Sequence, residues 1–289
     1  MSTNKIAVYG SYGFIGSEFC RKYVDEVIRV PKHEVVPPSN KILYLISTTD
    51  NYNIFDNVTL DIETNLIHLV EVLDAGYKKY GNDFEFFFSS SWYVYGKPEF
   101  DMVENFPQME ESHCNPTGWY SITKRCAEQM LISYCETFKI KYRILRLANV
   151  LGTRDAKVSK KKNALQFLLD ALVHNEDIEL YDGGNFYRDY IDVRDTVSAI
   201  KLVMEKGTHP IYNISNGTSH RFKDLIDYAV KYSQSKSNVW DKLDKPEFHS
   251  VVQSKDVFLS NKKLSELGYK PEYTIEQTLA TIIDYYKGR

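Results

Sequence analysis

The sequence predicts a doubly wound α/β fold built on a parallel sheet. Three observations carry that expectation. A short apolar segment, Lys5 to Tyr9, empties into the glycine triplet Gly10-x-x-Gly13-x-x-Gly16. Apolar segments then alternate with helix-periodic ones along the first half of the chain, the pattern of strands joined by helical crossovers. The first of these segments also lacks the in–out alternation of a half-exposed strand, as expected for a strand covered on both faces.

Each element follows from its own residues. A helix starts at the glycines and runs through Ser17 to about Tyr23, and Val27 to Val30 is a second strand stopped by Pro31. The next strand is Ile42 to Ser47. Only 25 residues separate Gly16 from Ile42, and one strand–helix–strand unit takes about 30. The sheet is therefore expected to be trimmed, with its third strand missing. A helical pattern over about Asp56 to Tyr80 places Leu66, Leu69, Val70 and Leu73 on one stripe. Phe84 to Ser89 is a strand running into Ser89-Ser90-Ser91, Tyr120 to Phe138 a long helix, and Tyr142 to Leu147 a further strand. Beyond Val150 the pattern loosens, with turns at Asp182-Gly183-Gly184 and Asn216-Gly217. The expected division is a sheet domain over 1–150 and a smaller lobe over 151–289, part of about 187–215 returning to the first. Lys160-Lys161-Lys162 reads most simply as a solvated loop.

The formal net charge of −3 offers no basic surface for nucleic acid or an anionic membrane. No apolar run reaches the roughly 20 residues that span a bilayer. The four cysteines, Cys20, Cys114, Cys126 and Cys135, form no C-x-x-C pair, so no metal site is expected. A reducing cytoplasm is the expected compartment.

Tyr120 and Lys124 stand one helical turn apart and so project from one face. A free tyrosine titrates near ~10, so acid–base work near neutrality requires a downward shift worth about 4 kcal/mol. A cation at about 4 Å and an effective dielectric of ~20 supplies that much. A serine from the run can then hydrogen-bond the substrate oxygen, an arrangement suited to hydride chemistry at a carbinol carbon. The glycine triplet, between a buried strand and a helix, permits a tight turn with helix N–H groups facing a dinucleotide's pyrophosphate.

With these residues assembled, the chain resembles the extended short-chain dehydrogenase/reductase family, and in it the NAD(P)-dependent nucleotide-sugar epimerase/dehydratase/reductase branch. The resemblance runs from Lys5 to about Pro271 and includes Arg146-Leu147-Ala148-Asn149-Val150-Leu151-Gly152, Tyr187-Arg188-Asp189-Tyr190-Ile191 and Leu267-Gly268-Tyr269-Lys270-Pro271. It implies a Rossmann-like sheet with a C-terminal substrate lobe. It makes Ser91, Tyr120 and Lys124 the catalytic group, with Lys124 also on the nicotinamide ribose. The implied cofactor contacts are Gly10, Tyr12, Gly13, Phe14, Ile15, Gly16, Arg29 and Lys32, besides Tyr120 and Lys124. The implied contacts to a nucleoside-diphosphate sugar are Ser91, Trp92, Tyr93, Asn149, Asn163, Arg188 and Lys255. Asn149 has a turn-capping alternative, and Arg188 a pairing with Asp189 or Asp192. The implied reaction is at C4 of the sugar, as an epimerase, a 4-ketoreductase or a 4-dehydrogenase. A homodimer through a four-helix bundle is implied as well.

Departures from the family pattern matter as much. The second strand ends Ile28-Arg29-Val30-Pro31-Lys32, without the acid that usually binds the adenine ribose. Arg29 and Lys32 tilt the expectation toward NADP; Arg29 stacked on adenine would keep NAD. Gln253 stands where a second diphosphate arginine is usual, with Lys255 close by. Trp92 and Tyr93 replace the acidic pair of the 4,6-dehydratases, so dehydration is not expected. His113 and Cys114 match a proton-shuffling pair of some ketoreductases in position only. The competing reading is a cofactor-binding sensor or scaffold without turnover.

Overall fold

The computed structural model describes residues 5–49, 52–96, 107–155, 159, 163–242, 244, 247–248 and 256–289. Lys160-Lys161-Lys162, Gln253 and Lys255 lie outside the described residues.

Six parallel strands form the central sheet: β1 (Ile6–Tyr9), β2 (Val27–Arg29), β3 (Lys41–Tyr44), β4 (Glu85–Ser91), β5 (Lys141–Leu147) and, after four intervening short strands, β10 (Ile211–Ile214). Their order is β10-β5-β4-β3-β1-β2. The chain winds outward from β1 to β2, then crosses back to β3 on the other side, so the direction reverses between β1 and β3. Crevices at such reversals, outside the carboxyl ends of the strands, are where open α/β sheets bind ligands. Among the described residues β2 is the sheet's edge, with no strand beyond it, which is the trimming expected from the short spacing after Gly16. Inside that edge, β1 and β3 are fully buried over Ala7, Val8, Ile42 and Leu43, which is why neither shows the alternation of a solvent-facing strand.

Helices cover both faces. α1 (Phe14–Lys22) follows the glycine loop; α2 (His68–Tyr80) and α3 (Trp119–Phe138) lie along the sheet. Leu69, Leu73, Ala127 and Leu131 pack there on Tyr44, Phe86 and Phe88. The single helix expected over about 56–80 is broken. Short turns at Asn53–Asp56 and Leu60–Ile62 precede a π turn, Glu63–Ile67, before α2 begins. The cause is polar: Asn57 is extended, and the wide turn directs the buried Asn65 amide inward to Ser47 and Thr48. β3 stops at Tyr44 rather than Ser47, and those same two residues leave the sheet to meet Asn65.

The intervening strands are β6 (Asn149–Leu151), β7 (Ile178–Tyr181), β8 (Tyr187–Arg188) and β9 (Tyr190–Asp192). With β11 (His220–Arg221) and β12 (Val239–Lys242), they pair two by two outside the main sheet. A second core joins α4 (Ala164–Val173), α6 (Phe222–Ser233) and α7 (Ile275–Lys287) through Leu169, Leu172, Ile226, Leu279 and Ile282. Between them α5 (Val193–Lys206) returns the chain to β10, and its Val197 and Ile200 join the main core.

Candidate active site

The glycine loop is tied by sterics. Gly10 takes φ +76°, and a Cβ at Gly16 would lie 2.2 Å from the Gly10 carbonyl oxygen. Gly13 caps α1 with no side-chain hydrogen bond, and the first turn carries no acid. The leading N–H groups of α1 are thus left for an anion, which fits a dinucleotide diphosphate. Arg29 folds back on this loop: its Nη1 donates to the Ser11 carbonyl at 2.7 Å, and its guanidinium lies 5.5 Å from the exposed Tyr12 ring. Lys32 is exposed just beyond. Ile15 turns inward and packs on the main core.

Along the sheet's carboxyl edge, β4 ends at Ser89, Ser90 and Ser91, all buried. α3 opens at Gly118, whose N–H donates to the Ser121 hydroxyl at 3.0 Å, and carries Tyr120 and Lys124 to the same edge. Burial pushes the Tyr120 phenol up to about 12, and the Ser91 and Ser47 hydroxyls pull it back only in part. This reverses the expectation that Lys124 lowers it. The Lys124 ammonium is committed elsewhere: its Nζ donates to the Ser89 carbonyl at 2.6 Å and sits 4.2 Å from the Phe88 ring centre. Burial holds that lysine down at about 7, with Glu128 one turn on favouring the charged form. Lys124 is 1% exposed, and burial acts on both groups, raising the phenol and lowering the ammonium.

Behind Lys124 lies a buried ion pair. Arg146 grips Glu128 with two hydrogen bonds, 3.0 and 2.8 Å, and Arg125 adds a third at 2.7 Å. Burial pushes the Glu128 carboxyl up, but Arg146, with help from Ser90 and Arg125, more than offsets it and the net shift is downward. The Arg146 guanidinium also faces the Tyr95 ring at 4.8 Å.

Several site residues escape motif reading. The Ser47 hydroxyl donates to Asn65 Oδ1 at 2.9 Å. Asn65 Nδ2 reaches Thr48 at 2.8 Å and Thr123 at 3.1 Å, and Thr48 donates to Asp61. Asp61 is fully buried with its Oδ2 unpaired. The one sequence signal for Ser47 is its place just beyond the carboxyl end of a parallel strand; nothing local marks Asn65 or Asp61.

The substrate-side candidates divide. Arg188 is buried among rings, 5.4 Å from Trp92 and 4.9 Å from Phe186, and burial lowers its pKa. The two acids that offered it a structural pairing are engaged by others: Asp192 by Arg194 at 2.8 and 2.7 Å, Asp189 by the backbone amides of Asn216, Gly217 and Leu259. Asn149 Nδ2 donates to the Asp189 carbonyl at 2.9 Å. Asn163 caps α4, accepting from the Gln166 N–H at 3.3 Å. Cys114 packs on the main core beside Tyr95 and Arg146, where burial raises its thiol. Among the described residues no His, Cys, Asp or Glu cluster is arranged for a metal ion, and no helix is long and apolar enough to cross a membrane.

The family model described as the NAD dependent epimerase/dehydratase family matches residues 42–215. A putative UDP-glucose 4-epimerase of Methanocaldococcus jannaschii is 25% identical over 99% of this chain and 87% of its own length. The solved structure of UDP-glucose 4-epimerase from Thermotoga maritima with UDP-glucose superimposes with a TM-score of 0.85, at 23% identity, over 98% of this chain and 99% of that one. RMD from Pseudomonas aeruginosa, complexed with NADPH, gives 0.81 at 21% identity over 99% of both chains. At such identities the two structural likenesses speak for the fold.

Proposed function

The chain belongs to the NAD dependent epimerase/dehydratase family, and from that premise we propose that it is an NAD(P)-dependent oxidoreductase acting at C4 of a nucleoside-diphosphate sugar. The observation that most supports this is the convergence of Ser91, Tyr120 and Lys124 on the carboxyl edge of the sheet. When bound, the nicotinamide supplies the hydride acceptor or donor. Tyr120 carries the proton of the C4 oxygen, and the Ser91 hydroxyl orients that oxygen. A phenol held up at about 12 rests as the acid, the form that protonates a 4-keto sugar as it is reduced. Acting as base in the opposite direction, it needs that pKa lowered, as a cation beside its oxygen would do.

The glycine loop and the uncapped start of α1 take the cofactor diphosphate, with Arg29 and Lys32 at its adenosine end. Arg188 takes the sugar nucleotide's diphosphate: its planar fork of donors suits phosphate oxygens. Dehydration has no support, since the two residues after Ser91 are Trp92 and Tyr93, and neither is an acid. A homodimer through α2 and α3 is favoured by the exposure of Ile67, just before α2, and of Ile122, Met130 and Phe138 on α3; static light scattering at the dimer mass tests it.

The deciding experiment has two parts. Mass spectrometry identifies the nucleotide that co-purifies, and UDP-, GDP-, CDP- and dTDP-sugars are then screened at the absorbance band of the reduced nicotinamide. Tightly retained cofactor with sugar interconversion marks an epimerase; stoichiometric consumption of NADH or NADPH with a 4-keto sugar marks a reductase. No turnover of any sugar nucleotide, with cofactor bound, returns the sensor reading.

A further inference from the structure

Trp92 and Tyr93 follow Ser91 in the tight helical turn Trp92–Tyr95. Their rings stack at 3.9 Å between centroids, with 26° between planes. Trp92 is buried, 4% exposed, and also contacts the Arg188 guanidinium. Arg188 in turn lies against Phe186, which stacks on Phe222 of α6 at 4.7 Å. At the other end Tyr93 meets the Tyr120 ring edge to face, 6.1 Å and 85°. A continuous column of rings and one guanidinium thus runs from the outer lobe to the phenol expected to move the proton. Tyr93 is the half-buried member beside Tyr120, and its backbone N–H donates to the Ser91 hydroxyl at 3.3 Å.

The Tyr93 hydroxyl has no hydrogen-bond partner among the described residues, whereas the hydroxyl of Tyr95, in the same turn, donates to Asn213 at 2.7 Å. Half-buried beside Tyr120, this hydroxyl stands open to a ligand rather than locked into the core. A substrate held by Ser91 and Tyr120 has to pass this ring. We propose that Tyr93 is a specificity-determining residue, whose hydroxyl binds a sugar hydroxyl on the carbon framework flanking the reacting carbon while its ring braces the Tyr120 phenol. The selected substrate class is a sugar nucleotide that keeps that hydroxyl; its deoxy analogue leaves the phenol unpaired and is discriminated against. The inference rests on the nucleotide-sugar reading above.

The test is a thermodynamic cycle between one enzyme hydroxyl and one sugar hydroxyl. UDP-glucose, GDP-mannose and dTDP-glucose, each with its 3-deoxy and 6-deoxy analogues, are titrated by calorimetry and assayed where they turn over, against wild type and Tyr93→Phe. The expected result is a roughly tenfold loss of affinity and of kcat/KM in Tyr93→Phe, the size of one hydrogen bond. That loss should lie in KM rather than kcat and disappear on one deoxy analogue. Tyr93→Leu, which removes the ring, should also lower kcat; an unchanged melting temperature for Tyr93→Phe guards against misfolding. Equal loss on every analogue, or no loss on any, overturns the assignment. Binding with the expected coupling but no turnover in wild type overturns the proposed reaction and leaves Tyr93 in place. No binding of any of the sugars overturns both.

Discussion

The carboxyl edge of the sheet and the outer lobe hold their candidate residues in different ways. At the edge, Ser91 closes a seven-residue strand and Tyr120 with Lys124 rides a 20-residue helix, each packed on the main core. In the outer lobe, Asn149 sits in a three-residue strand, Arg188 in a two-residue one, and Asn163 is a helix cap. The two asparagines spend polar atoms on holding their own lobe together. The difference teaches that the groups proposed for proton transfer ride on long regular elements, which resist displacement, whereas those proposed for recognition double as structural ones. Reaction chemistry loses much from a small misplacement, and recognition tolerates more.

The largest expected effect breaks the first region. Tyr120→Phe should lower kcat/KM about 10³-fold, the range for loss of a positioned acid, with cofactor affinity by fluorescence titration unchanged. A loss under tenfold would move the chemistry away from the sheet edge. Next in size is Arg146→Met, which leaves Glu128 buried with Arg125 as its salt-bridge partner among the described residues. Stability in urea should fall by about 3 kcal/mol, and adding Glu128→Leu should recover most of it. If the single variant is as stable as wild type, the pair does not organise α3.

Asn163→Ala sharpens the contrast from the other side. Its cap is worth about 1 kcal/mol, so the melting curve should shift while KM for the sugar nucleotide stays put. A raised KM at unchanged stability would make its amide a ligand contact instead. A pH slope tests how Lys124 itself is tuned. Burial holds Lys124 at about 7 in the folded protein, below its ordinary value of 10.5. Between those values the unfolded chain binds a proton that the folded protein does not, so this group makes stability rise with pH across the window. Lys124→Met should remove that contribution, read as the difference between wild-type and variant urea midpoints at pH 7 and pH 10. Parallel pH dependences would mean that the buried ammonium stays charged.

Legibility followed distance along the chain. The glycine triplet, the serine run and the Tyr120–Lys124 spacing are local, and the structure brings them to one edge of the sheet. The trimmed sheet was legible too, because chain length limits how many crossovers fit between Gly16 and Ile42. The broken helix before His68 was not: apolar periodicity continues through Leu66 and Leu69, while the interruption comes from polar contacts of Asn65 with residues 17 and 18 positions away.

The sequence by itself determined the parallel sheet and its reduced width, and singled out Ser91, Tyr120 and Lys124 as candidates, since short-range spacing and strand burial are written in neighbouring residues. Tertiary structure alone decided how those groups are tuned. Desolvation, set by everything packed around a side chain, raises the Tyr120 phenol and turns the Lys124 ammonium toward Ser89. The column that joins Arg188 to Tyr120 through Trp92 and Tyr93 likewise exists only once segments nearly 100 residues apart have been folded together.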